Sequence, residues 1–225
     1  MSVGFRILRR ERIVAPEIVE RFARLPVANV SDSMARMTAA GARVRPMHQS
    51  GGMAGPALTV KTRPGDNLMI HKAMAIAKPG DVIVVDAGGD LTNALIGEMM
   101  LMRIIKSELA GIVIDGAIRD AGFIRGQKFP VYAAGVTHRG PYKNGPGEIN
   151  VPIAIDGMVI EPGDLIIGDD DGLLCVPFDD VDGVLKAATA KYQAEQKQME
   201  NIKAGTYDSS WVDKALRELN CEGVD

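Results

Sequence analysis

Short apolar runs bounded by Gly, Pro and Asp alternate along this chain with stretches of helical periodicity. Ile112, Val113 and Ile114 lie between Gly111 and Asp115-Gly116, the pattern of a strand buried on both faces and its terminating turn. Val82 to Val85 repeats it, entered through Pro79-Gly80-Asp81 and ending at Asp86-Ala-Gly-Gly-Asp90. A helix is predicted from about Asn93 to Leu109 between these strands, and a short helix near Phe123 leads to a third strand, Val131 to Ala134. This β-α-β-α-β alternation implies adjacent parallel strands with crossover helices.

Ala15 to Arg36 predicts two helical pieces: Pro16 sits near the first start, Ile18, Val19, Phe22 and Leu25 recur at helical spacing, and Pro26 interrupts. Ser31 or Asp32 is the expected cap of the second. Gly51 to Arg63 reads as a Gly-rich turn followed by an alternating strand, and Pro64-Gly65-Asp66-Asn67 as a turn into a helix around Leu68 to Ile76. Farther on, Ile149 to Ile155, Met158 to Ile160, Asp164 to Ile167 and Leu173 to Val176 are short strands separated by turn signals, which predicts an antiparallel, barrel-like half. Val181 to Ala204 is a long polar helix ended by Gly205, and the remainder holds a small helix with Trp211, Val212, Leu216 and Leu219 on one face. The Pro-Gly-Asp turns at 79–81 and 162–164 each precede an apolar strand and read as strand entries rather than sites.

With 225 residues, 46% hydrophobic and 24% charged, the chain has the balance of one soluble domain. A net charge of −3 and dispersed basic residues offer no field for nucleic acid. Cys175 and Cys221 have neither pairing nor metal-finger spacing, so a reducing cytoplasm is the expected compartment. No segment approaches the roughly 18 apolar residues of a membrane span, and the N-terminus has no continuous apolar h-region, so an unexported protein is expected.

Candidate chemistry gathers where strands end. Arg119 and Asp120 follow the Ile112 strand, Gly88-Gly89-Asp90 follows the Val82 strand, and Gly97-Glu98-Met99-Met100 lies at a helix beginning, all at the carboxyl edge of the expected parallel sheet. A carboxylate there is a hard ligand suited to Mg²⁺ or Mn²⁺, and a guanidinium forks two hydrogen bonds onto a carboxylate or carbonyl. Free N–H groups of Gly97, Glu98, Met99 and Met100 form an anion site if the helix begins near Ala94 to Gly97; close packing against the sheet equally explains Gly97, and a solvated helical position Glu98. His48, His71 and His138 lack ligand spacing, which argues against zinc. His71 reads as a helix-surface residue, His138 equally as a substrate contact or plain surface, and Asp169-Asp-Asp171 as a solvated turn. Neither a Schiff-base Lys nor a Ser nucleophile elbow is evident.

Gly-Pro-Ala-Leu-Thr-Val (55–60), Gly-Asp-Asn (65–67), Pro-Gly-Asp-Val-Ile-Val-Val-Asp (79–86), Gly-Gly-Asp (88–90), Gly97-Glu98 and Asp115-Gly-Ala-Ile-Arg-Asp120, in that order, resemble the regulator-of-ribonuclease-activity (RraA-like) superfamily, in its metal-dependent 4-hydroxy-4-methyl-2-oxoglutarate/4-carboxy-4-hydroxy-2-oxoadipate aldolase branch. The resemblance covers roughly 25–205, leaving an N-terminal extension, 1–24, and a C-terminal helical tail, 206–225. It implies an α/β fold of the three-layer swivelling ββα type, with a parallel central sheet, antiparallel strands and a C-terminal helical extension, assembled as a trimer or hexamer with sites between subunits. It also implies that Asp120 binds Mg²⁺ (or Mn²⁺), that Arg119 and the amides of Gly97 to Met100 hold a pyruvyl group, and that Glu98 orients water. A neighbouring subunit would add a carboxylate, for which Glu195 is the candidate and Glu200 the second. The implied activity is class II cleavage of a 4-hydroxy-2-oxo acid to pyruvate, with oxaloacetate decarboxylation alongside. The alternative is a non-catalytic regulator that binds a ribonuclease or helicase through its oligomer surface; such members typically lack the acid after the Arg, and Asp120 is present here.

Overall fold

The computed structural model describes residues 3–224. Its elements in chain order are β1 (Phe5–Ile7), α1 (Pro16–Phe22), α2 (Val27–Ser33), β2 (Arg45–Pro46), β3 (Met53–Thr62), α3 (Leu68–Ile76), β4 (Val82–Asp86), β5 (Ala94–Ile96), α4 (Glu98–Lys106), β6 (Gly111–Ile118), α5 (Ala121–Arg125) and β7 (Val131–Val136). They continue with β8 (Gly147–Ile149), β9 (Ile153–Ile155), β10 (Met158–Ile160), β11 (Leu165–Asp169), β12 (Gly172–Val176), α6 (Val181–Lys203) and α7 (Ser210–Glu218).

Four parallel strands in the order β3-β4-β6-β7 form the centre of a mixed sheet. One face of each central strand meets helices and the other meets more sheet, which is why their sequences are apolar without alternation. Helices α3, α4 and α5 cover the first face through Ile70, Leu101, Ile104 and Ile124, packed on Ile83, Ile112 and Ile114. The second face, with Val82, Val84 and Val113, meets Ile153, Ile155, Met158 and Ile160 of the β9–β10 hairpin. A third cluster joins β11 and β12 to α1, α2 and α6. Strand β3 links the halves: Met53 to Pro56 pair antiparallel with β11, whereas Ala57 to Lys61 pair parallel with β4. The expected α/β class, with its parallel centre, antiparallel strands and C-terminal helices, is therefore present.

Local readings change at several places. The helix predicted from Asn93 is a strand for its first part, because Ala94, Leu95 and Ile96 are all buried and pair with the end of β6. Asp115-Gly116 does not end its strand: β6 continues to Ile118 through an irregular register, and the Asp115 carboxylate is neutralised by Arg43 at 2.5 Å. The run Ile149 to Ile155 is broken into β8 and β9 at Asn150, whose φ is +56°. Ser31 and Asp32 fall inside α2; the Val27 N–H at its start is instead capped by Asp169 Oδ2 at 2.9 Å, which gives part of the acidic turn a structural role. Although α6 is polar overall, its first half is anchored on its own domain by Leu185 and Ala188, whereas Met199 and Ile202 beyond are exposed.

The N-terminal segment is bonded into the body. Strand β1 pairs parallel with β8, and Val14 and Phe22 enter the core. Arg10 forks onto Asp81 at 2.8 and 3.0 Å, both side chains being under 9% exposed, and Asp81 also accepts the Lys78 N–H at 2.8 Å. Removing one partner from so enclosed a pair strands a charge away from water. Arg10→Ala should therefore lower the unfolding free energy by about 3 kcal/mol in chemical denaturation. A change within about 0.5 kcal/mol, the range of ordinary surface substitutions, would mean that the strap is dispensable.

Candidate active site

The end of β6, the end of β5 and the start of α4 meet at one point. Arg119 follows Ile118, its N–H bonded to the Ile96 carbonyl at 3.0 Å, and Asp120 then turns the chain into α5 with φ +56° and ψ +36°. A left-handed non-glycine residue costs about 1–3 kcal/mol unless its surroundings fix it, and such residues cluster at functional sites. Although Asp120 is the residue before α5, its side chain does not cap that helix. It reaches across to α4, where Oδ2 accepts the Glu98 N–H at 2.9 Å.

Gly97 makes this reach possible. Its φ of −153° is open to any residue, so the requirement is space: a Cβ there would collide with Asp120 Oδ2 and lie 3.0 Å from the Arg119 side chain. Arg119 passes between this glycine and Gly140, where a Cβ would stand 3.2 Å from Nη1. Its side chain is 46% exposed and that of Asp120 41%, so both remain open to a ligand, and Nε lies 3.8 Å from Asp120 Oδ2.

These groups line a cleft of about 280 Å³ together with Asn67, Ala94, Glu98, Met99, Met100 and Pro141. Gly97, Glu98, Met99, Met100, Arg119 and Asp120, proposed from sequence, are thus brought together. One refinement concerns the anion site: the Glu98 amide is already given to Asp120, while the first-turn amides of Met99 and Met100 have no acceptor within their own helix. Asp90 does not line the cleft; its Oδ1 accepts the Thr92 hydroxyl at 2.8 Å. Glu195 lies elsewhere on its own protomer, where Asn29 Nδ2 at 2.6 Å and Lys191 Nζ at 3.2 Å hold its carboxyl below the usual range. Glu200 is exposed farther along α6.

Two features escaped the sequence reading. Asn67, seen only as a turn residue, is 1% exposed, donates from Nδ2 to the Leu95 carbonyl at 2.9 Å, and leaves Oδ1 without a partner at the cleft wall. Next to it, His71 stands one turn along α3, Arg103 one turn beyond Met99 and Met100 on α4, and Lys143 on the loop after Pro141. Burial first, then the positive charges of Lys143 and Arg103, push the His71 imidazole below its ordinary pKa, so it is uncharged at neutral pH. Neither Lys143 nor Arg103 has an acidic partner within 4 Å among the described residues. Residues so far apart in sequence gave no signal of this grouping. His48 is structural: it is buried, with Nε2 3.0 Å from the Gly51 carbonyl and its ring edge-on to Tyr132. His138 is exposed and outside the cleft lining.

Among the described residues no three His, Cys, Asp or Glu side chains converge as a metal cage. The donors still fit a hard, heavily hydrated ion: Oδ2 of Asp120 is engaged by Glu98, and Oδ1 accepts no hydrogen bond among the described residues. One carboxylate with waters and substrate oxygens completing the shell is the way Mg²⁺ is commonly held, and it does not suit zinc. No helix among the described residues is long and apolar enough to cross a membrane.

Comparison with known proteins follows the same lines. The "Putative 4-hydroxy-4-methyl-2-oxoglutarate aldolase" of Halalkalibacterium halodurans is 40% identical over 184 residues, 82% of this chain and 87% of that one. Among solved structures, an uncharacterized protein from Pseudomonas syringae pv. tomato superposes with a TM-score of 0.77 at 24% identity, over 86% of this chain and 95% of its own. Streptomyces coelicolor RraAS2, described as an unusual member of the RNase ES inhibitor RraA protein family, superposes with a TM-score of 0.74 at 26% identity, over 82% of this chain and 96% of its own. The family described as RraA-like, Aldolase/RraA, matches residues 27–175 and so takes in β3 through β11 and all but the last residue of β12, with every cleft residue named above, and the chain belongs to that family.

Proposed function

We propose that the protein is a divalent-metal-dependent lyase that cleaves a 4-hydroxy-2-oxo acid to pyruvate and a second carbonyl compound, and that decarboxylates oxaloacetate by the same bond-breaking step. The observation that carries this reading is the meeting of a forked cation, a carboxylate with one oxygen free and first-turn helix amides in one cleft. The printed name of the H. halodurans relative supports it. The likeness to RraAS2 favours the second reading, a non-catalytic binder of a ribonuclease; a protein that only binds a partner has no need of such a cleft.

In this reading Arg119 forks onto the C1 carboxylate and 2-oxo oxygen of the substrate, and the Met99 and Met100 amides bond the same carboxylate. Asp120 Oδ1 would hold Mg²⁺ or Mn²⁺, which when bound supplies Lewis-acid stabilisation of charge developing on the 2-oxo oxygen. Arg119 adds fixed positive charge at the same oxygen. Breaking the C3–C4 bond moves its electron pair to C3, giving the pyruvate enolate, while the 4-hydroxyl proton leaves and C4 becomes a carbonyl carbon. Glu98, with a neighbour's carboxylate, would position the water that takes this proton; the enolate is then protonated at C3. With oxaloacetate the same pair is released as CO₂ departs. Lys143 and Arg103, neither of which has an acidic partner among the described residues, suit a second carboxylate on the substrate.

Pyruvate release from oxaloacetate and from a panel of 4-hydroxy-2-oxo acids should stop in chelator and return with Mg²⁺ or Mn²⁺. Asp120→Asn, which suits the left-handed backbone, should fold and be inactive, and Arg119→Lys should lose about tenfold or more because an ammonium cannot form the fork. Full wild-type turnover in chelator would end the metal-dependent reading.

Gly97→Ala tests the cradle. A Cβ that displaces Asp120 by about 1 Å should lower kcat/KM on the order of a hundredfold, with little change in melting temperature. Unaltered kinetics would show that Asp120 does not need its observed position.

A homo-oligomer, trimer or hexamer, is part of the proposal, with Glu195 of the partner subunit as the missing acid. Co-refolded mixtures of inactive Asp120→Asn and Glu195→Ala chains should then regain activity, since some interfaces carry both native residues. A fully active monomer in sedimentation would refute the shared site.

A further inference from the structure

A single buried carboxylate holds the loop that walls one side of the cleft. Asp66 has no solvent exposure, and its Oδ2 accepts the backbone N–H groups of Asn144 at 2.7 Å and Gly145 at 2.9 Å, with Arg63 Nη2 at 3.3 Å. Its Oδ1 accepts the Leu68 N–H at 2.9 Å, so the same side chain also ties down the start of α3. Backbone bonds flank this knot, from Tyr142 N–H to the Gly65 carbonyl at 2.8 Å and from Asn67 N–H to the Tyr142 carbonyl at 3.0 Å. Residues 141–146 contain no helix and no ladder strand. Their geometry therefore rests on these few bonds, of which those to a charged acceptor are the strongest kind. The loop carries Pro141, which lines the cleft, and Lys143, which follows the Tyr142 carbonyl bonded to the cleft residue Asn67.

We infer that Asp66 is a positioning residue for substrate selection: by fixing the 141–145 backbone, whose Tyr142 carbonyl is bonded to the cleft residue Asn67, it presents Lys143 on the Asn67 side of the cleft to the distal carboxylate of a dicarboxylic 2-oxo acid. The inference rests on the lyase reading above. Asp66 touches no substrate in it. Replacing Asp66 by Asn weakens the loop bonds in either amide orientation: an N–H₂ group turned toward the Asn144 and Gly145 donors abolishes them, and an amide oxygen turned there accepts without the negative charge while the N–H₂ group meets the Leu68 N–H instead. The pyruvyl end of the cleft is built on β5, β6 and α4, and meets the knot through the Asn67 side chain, which bonds the Leu95 carbonyl and Met100 Sδ.

Two kinds of measurement decide the matter. In the wild-type protein, hydrogen exchange should find the Asn144 and Gly145 amides protected despite their lying in an irregular loop; free exchange there overturns the proposal without any variant. In Asp66→Asn, protection at those two amides should fall at least tenfold while β6 and α4 keep theirs. The KM for oxaloacetate should then rise about tenfold with kcat within threefold, and exchange of pyruvate methyl protons with solvent, followed by NMR, should stay within threefold of wild type. Lys143→Ala should raise the same KM, and combining the two changes should add little, as expected for residues acting through one contact. Additive effects, or parallel loss of oxaloacetate turnover and pyruvate exchange, would overturn the inference. If the wild-type protein neither turns over oxaloacetate nor exchanges pyruvate protons, the lyase reading fails, and the selection role fails with it even where amide exchange shows Asp66 holding the loop.

Discussion

The hydrogen bond from the Glu98 amide to the Asp120 carboxylate ties the end of the central strand to the start of a helix, and the cleft is arranged around it. It unites residues from two different βα connections. The bond requires that Gly97 present no Cβ and that Asp120 adopt a left-handed backbone, so local strain and a local void both serve one contact. The helix dipole favours a carboxylate at that end, which offsets part of the strain. Because Oδ2 is committed to the amide, the free lone pairs of Oδ1 have a fixed direction. An ion held there would meet a ligand whose position was set before it arrived.

Opposite charges are divided across short distances at this site. Arg119 stands close to Asp120 without forming a close ion pair, at 3.8 Å, and both side chains keep water access. Had they closed on each other, each would have satisfied the other and neither could recruit a ligand. Arg119 passes between Gly97 and Gly140, two positions where a side chain would crowd it. Elsewhere the protein pairs charges tightly, as in Arg10 with Asp81 and Arg43 with Asp115. The contrast separates framework ions from those held ready for a ligand.

Much of this was legible in the chain. Buried strands announce themselves by unbroken apolar runs, and their ends locate the ligand edge, so Arg119, Asp120 and the 97–100 segment could be named without coordinates. Ala94 to Ile96 was misread because three apolar residues leading into a helix have the periodicity of either element, and only pairing with β6 decides it. Asp115-Gly116 carries turn chemistry yet stays in its strand, since Arg43, 72 positions earlier, supplies the counter-charge that allows burial. Asn67 and the Lys143 loop were invisible for the same reason: their roles come from contacts made across the fold. A long polar helix gives no sign of which Glu matters, and the anchoring of α6 by Leu185 and Ala188 shows that two buried residues can suffice to seat its first half.

The divided pairing of β3 has a consequence for synthesis. Among the described residues its first half pairs only with β11, more than a hundred residues later, and β8 on its other side also comes late. As the chain emerges from a ribosome, the parallel units through β7 can assemble while part of β3 still shows an open, apolar edge. Such edges are the surfaces on which nascent chains aggregate. The late strands therefore do more than complete a layer: until residue 168 is free of the exit tunnel the sheet has an adhesive margin, and truncated or slowly translated forms would expose it to whatever strand is nearest.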